Sequence, residues 1–141
     1  MLKGIPPILT PELLKVLMEM GHGDEIVLAD GNFPRFAYPE AVVRCDGHGV
    51  PELLDAILQF MPLDTYVENP TAFMAVLPDD PYKPEIWPIY QKIGFRYEKD
   101  GLRENTIDKY AFYERARKAY AVVTTGEKAL YANVILRKGV V

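Results

Sequence analysis

Among 141 residues there is one cysteine, Cys45, and only two histidines, His22 and His48. A single thiol cannot form an internal disulfide or hold a structural metal alone, so Cys45 reads as a free buried thiol. Long apolar runs are also missing. The longest, 72–77, has six residues, against about 20 for a membrane-spanning helix. Pro6 and Pro7 stand where a secretory signal would place its apolar segment, so a soluble, cytoplasmic chain without a membrane partner is expected. Nor is there a basic excess. Sixteen Lys and Arg face 20 Asp and Glu, a net charge of −4, which argues against nucleic acid as a partner. Arg115, Arg117 and Lys118 follow Glu114 and read as a solvated helix face.

What is present is globular: 49% hydrophobic and 26% charged residues, with 12 prolines and 10 glycines marking many short connections. The length suits one domain over 1–141. Thr10 at an N-cap, Pro11 in the first turn and Gly21 at the far end frame a first helix, with Leu13, Leu14, Leu17 and Met18 on one side. A buried strand at 25–29 follows and ends on Asp30. Further strands are expected at 41–43, 65–67, 71–77, 120–124 and 134–136. Helices are expected from Val50 onward, at 85–93, where Pro88 should keep the piece short or kinked, and at 107–118. The alternation predicts an α/β fold, layered α/β/α, with a largely parallel or mixed central sheet.

Polar residues at strand ends are the candidates for chemistry, because ligands of open α/β sheets bind beyond strand termini. His22 lies between Gly21 and Gly23, which leaves its imidazole uncovered. It suits proton shuttling near neutral pH, or a helix C-cap role equally well. His48 in Asp46-Gly47-His48-Gly49 lacks metal-ligand spacing toward His22, Asp24 and Asp46, and helix capping fits it better. Lys109 and Tyr113, four apart, share a helix face and could reach one cleft; a lysine lying over aromatic surface is the other reading. Phe112 and Ala116 should face the core. No Gly-rich phosphate loop is present.

Several segments, taken together and in order, resemble the ribose pyranase and fucose mutarotase family. They are Gly21-His22-Gly23-Asp24 running into a strand that ends at Asp30, Asn32-Phe33-Pro34, Leu63-Asp64-Thr65-Tyr66, Phe112-Tyr113-Glu114-Arg115, Thr125-Gly126-Glu127 and Leu130-Tyr131-Ala132-Asn133. Phe112-Tyr113-Glu114-Arg115 points to the fucose branch. The resemblance implies a homo-oligomer with sites near subunit contacts, and interconversion of the anomers of a free sugar, L-fucose first, without metal or cofactor. It makes His22 the proton donor, Asp64 and Tyr113 further catalytic positions, and Asp30, Met74, Tyr131 and Asn133 sugar contacts. Lys109 stands where the fucose branch has arginine, which turns a forked grip into a point contact. Ala132 stands where that branch has glycine, as in the ribose branch. Ribose pyranase activity and a non-catalytic sugar-binding module are therefore the alternatives.

Anomer exchange needs the ring to open, with a base taking the anomeric O1 proton and an acid protonating the ring oxygen. His22 is the expected acid, with Asp64 or Tyr113 assisting at O1 and Asp30 and Asn133 fixing the sugar.

Overall fold

Thr10 Oγ1 accepts the Leu13 N–H at 3.2 Å and opens α1 (Pro11–Glu19), which buries Leu13, Val16 and Leu17. Met18, expected on the same side, is exposed. The structure, a computed structural model, describes residues 1–141. Its strands are β1 (Glu25–Ala29), β2 (Ala41–Cys45), β3 (Thr71–Met74), β4 (Glu104–Ile107), β5 (Ala121–Thr125) and β6 (Val134–Arg137). They form one sheet in the order β2-β5-β1-β6-β3-β4. The β1–β5, β2–β5 and β3–β4 pairs are parallel, and only β6 runs against its neighbours β1 and β3. The expected α/β architecture with a mixed, largely parallel sheet is what forms.

The apolar alternation of the inner strands is split between two faces. Ile26, Leu28, Val123 and Leu136 meet α1, α2 (Val50–Leu58) and α3 (Ile86–Tyr97) in the larger core. Val27, Ala29, Val122 and Ile135 meet only α4 (Lys109–Arg117) and a 3-10 turn at Arg35–Ala37. Phe112 and Ala116 of α4 are fully buried there, as their spacing predicts. One helix cannot cover a six-stranded sheet, so this thinner layer leaves room beside α4 for a cavity.

Four expectations are corrected. Pro88 does not shorten α3, because it falls in the first turn, where a missing N–H loses no bond, and the helix continues to Tyr97. Residues 65–67 are not a strand. Their carbonyl neighbourhood is taken by a side chain: Arg103 donates to Asp64 O at 3.0 Å and to Val67 O at 3.3 Å, holding the segment as a loop. The strand expected at 71–77 ends at Met74, and its partner β4 escapes sequence reading because it is a polar edge strand. The helix expected at 107–118 begins at Lys109, with Asp108 as its N-cap, and Ile107 instead closes β4. No helix is long and apolar enough to cross a membrane.

Candidate active site

A cavity of about 250 Å³ opens where β1 and β3 end and β6 begins, beside the first turns of α4. Six of the eight expected site residues line it: Asp30, Met74, Lys109, Tyr113, Tyr131 and Asn133. Asp30 directly follows β1. Its N–H donates to Asn133 Oδ1 at 2.7 Å, which commits that oxygen. The Asp30 carboxyl is pushed above its ordinary range, first by burial, with Glu127 adding to the effect and bonds from Asn32 and Asn133 opposing it. It is thus a stronger base than a solvated aspartate.

Tyr131 adopts a left-handed backbone, φ 56°, which costs a non-glycine residue on the order of 1 kcal/mol or more. Two α3 side chains hold it there. Trp87 Nε1–H donates to Tyr131 O and the buried Tyr90 hydroxyl to Ala132 O, both at 2.8 Å. Ala132 itself is not left-handed, so its methyl is accommodated without strain; it is fully buried and does not line the cavity.

Tyr113 is wedged edge-on between Phe33 and Phe36, with ring centroids 5.7 and 5.3 Å away. Burial, and then the Asp30 charge, push its phenol up, so it stays neutral at physiological pH. Lys109 Nζ lies 5.9 Å from the Tyr110 ring and 6.0 Å from the Tyr113 ring. Both sequence readings of Lys109 thus hold together: it lies over aromatic faces and lines the cavity.

The other two expected residues form a second cluster. Asp64 is fully buried and both its oxygens are used: Oδ1 accepts from Tyr66 N–H at 2.9 Å and lies 3.0 Å from His22 Nε2, while Oδ2 accepts from Arg137 Nε at 2.9 Å. Burial raises its pKa, but the Tyr66, Arg137 and His22 bonds outweigh that and hold it at about 2. An ionised carboxylate only accepts, so it fixes the proton of His22 on Nε2 and leaves Nδ1 as the ring's free nitrogen. The His22 side chain remains 43% exposed. Gly23, at φ 88°, lets the chain turn beneath Arg137, whose Nη2 would lie 3.1 Å from an added Cβ.

His22 precedes β1 and Asp30 follows it, so the five-residue strand puts about 17 Å between the two clusters. Within one chain no monosaccharide touches both. His48 joins neither; its Nδ1 lies 3.2 Å from Glu52, which also accepts the Gly49 N–H at the start of α2, the capping role expected for this segment. Nowhere do three His, Cys, Asp or Glu side chains converge in a metal-binding group.

Sequence reading missed Arg137, the cation that compensates Asp64, and Asp80, which lines the cavity. A lone basic residue ending the apolar strand β6 was a usable signal for Arg137. Asp80 had none, since 78–84 reads only as loop.

The Asp64 network makes stability acid-sensitive in a defined window. Because the folded pKa, about 2, lies below the ordinary 3.8, the ionised form favours folding. That contribution is complete above about pH 4 and is lost as pH falls through about 2. The wild-type melting temperature is expected to drop across this range by calorimetry, whereas Asp64→Asn starts lower at pH 7 and loses less on acidification. Parallel curves would mean that Asp64 does not provide this stabilisation.

The sequence pattern of the RbsD / FucU transport protein family matches residues 3–141, essentially the whole chain. The chain belongs to this family. It is 50% identical to the fucose mutarotase of Homo sapiens, over 99% of this chain and 94% of the human protein. It is 46% identical to the L-fucose mutarotase of Actinobacillus pleuropneumoniae, over 99% and 97%. The fucose mutarotase of Streptococcus pneumoniae, crystallised in complex with L-fucose, superposes with a TM-score of 0.94 at 51% identity, covering 99% of both chains. The family likeness agrees with the cavity's chemistry, which offers proton donors and acceptors and no activated nucleophile.

Proposed function

We propose that this chain is an isomerase that interconverts the α and β anomers of L-fucose by acid–base catalysed ring opening and closure. The observation that supports it most is the cavity itself: two carboxylates, two phenols, two amides and an ammonium group set around the thioether of Met74, in a fold shared at 51% identity with a protein crystallised with L-fucose. Ala132 gives no support to a ribose-type preference, because it sits behind the cavity and presents no atom to a sugar.

In this reading Asp30, with its proton affinity raised by burial, takes the anomeric O1 proton, and Tyr113 hydrogen-bonds to O1. In its imidazolium form His22 delivers the Nδ1 proton to the ring oxygen while its Nε2–H stays on Asp64, and ring closure returns that proton to Nδ1. Asp64 touches no sugar; it acts through His22, whose tautomer it sets. Once the C1–O5 bond breaks, the open aldehyde rotates about C1–C2 and closes on its other face with the proton transfers reversed. Asn133, Tyr131 and Lys109 hold hydroxyls, and Met74 covers apolar ring surface. Acid–base catalysis of this kind contributes on the order of 10²–10⁴-fold.

The separation of the two clusters supports a homo-oligomer in which one copy supplies the cavity and its neighbour the His22–Asp64 pair. Exposed apolar side chains flank both halves. Met18, Phe60 and Val140 line a groove that includes His22, and Leu130 lines the cavity with Phe36 against Tyr113. We assign the protein to the cytoplasm, where its one buried thiol, Cys45, stays reduced.

The test is magnetisation transfer between the two anomeric protons of L-fucose, with D-ribose in parallel. Faster exchange for L-fucose is expected. Unchanged exchange together with thermal stabilisation by the sugar would replace an enzyme by a binding module.

A further inference from the structure

The Tyr131 phenol has more partners than a sugar contact needs. Its oxygen accepts the Leu77 N–H at 3.3 Å, and its O–H donates to Asp80 Oδ2 at 2.7 Å. Asp80 Oδ1 meanwhile accepts the Tyr82 N–H at 2.9 Å, and the Tyr82 ring stacks on Tyr131 at 6.1 Å. Asp80 belongs to none of the motifs that carry the family likeness, yet it lines the cavity.

A phenol has one proton to donate. The geometry points to Asp80 as a positioning residue that accepts this phenol's hydrogen bond, so that Tyr131 faces the sugar only as a hydrogen-bond acceptor and selects ligands that present a hydroxyl donor there. The Asp80 carboxyl is held below its ordinary range, chiefly by the Tyr131 bond and then by Tyr82, so it is ionised and can only accept. The same bond pushes the Tyr131 phenol up and keeps it neutral. The cost of the left-handed backbone at Tyr131 fits this arrangement, because that conformation brings the phenol to Leu77 and Asp80 on the β3–α3 connection.

The inference rests on the mutarotase reading, and two measurements keep them apart. The first is a double-mutant cycle on L-fucose exchange with Asp80→Ala, the isosteric Asp80→Asn and Tyr131→Phe. Asp80→Ala is expected to raise KM about tenfold with kcat within about twofold, and to change KM less than about twofold in the Tyr131→Phe background. A merely structural loop residue would cost the same in both backgrounds.

The second is the neutral-pH carbon resonance of the Tyr131 ring carbon bearing the hydroxyl, in tyrosine-labelled protein without sugar, assigned through Tyr131→Phe. Asp80→Asn is expected to move this resonance and leave the tyrosines remote from it in place. Additive losses in the cycle, or an unmoved resonance, overturn the role of Asp80 while leaving the mutarotase reading intact. Wild-type protein that fails to accelerate exchange overturns that reading and the sugar's part in this one. The resonance then decides alone whether Asp80 accepts the phenol's hydrogen bond.

Discussion

His22→Ala is expected to lower the catalysed anomer exchange of L-fucose by roughly 10²–10⁴-fold, which corresponds to about 3–5 kcal/mol of barrier. The fold should survive. Asp64 keeps Arg137 and the Tyr66 N–H as partners when the imidazole is gone, so no uncompensated buried charge is left. The half-exposed ring also contributes little to the core. Melting temperature and exchange rate, measured on the same sample, separate the two effects. A variant that melts normally and exchanges within about threefold of wild type would remove His22 from the proton path.

The second large effect is a gain. His22→Ala and Asp30→Ala chains are each expected to be nearly inactive, because one lacks the imidazole and the other the cavity's base. In randomly mixed oligomers, obtained by co-expression, about a quarter of the sites combine an intact cavity from one copy with an intact His22 from another. Activity should therefore return to about a quarter of wild type, far above either parent. A site contained within one chain would regain nothing, and the roughly 17 Å along β1 makes that arrangement unworkable for one sugar. Mixtures that stay at the parental level would refute the shared site.

The alternation of helical and strand-like segments made the fold legible, most clearly where patterns were strong. β1 and β5, buried on both faces, are nearly continuous apolar runs. Segments whose fate rests on one distant side chain were not legible. Residues 65–67 have strand composition but are held as a loop by Arg103, some 36 residues away. β4 is polar because only one of its edges pairs. Pro88 carried the wrong message because its effect depends on where a helix begins, and that was settled by packing rather than by the proline.

By itself the sequence determined the residue types available for chemistry, the α/β class and, through its ordered motifs, the family. Each of these rests on local chemistry or on order along the chain. Only the tertiary structure decided which groups share a site, because that depends on which strand ends become neighbours. The reversed strand β6 brings Asn133 to Asp30 at one end of β1 and Arg137 to Asp64 at the other. The expected set of eight residues thereby becomes a cavity of six and a separate pair, a half-exposed His22 on a buried Asp64.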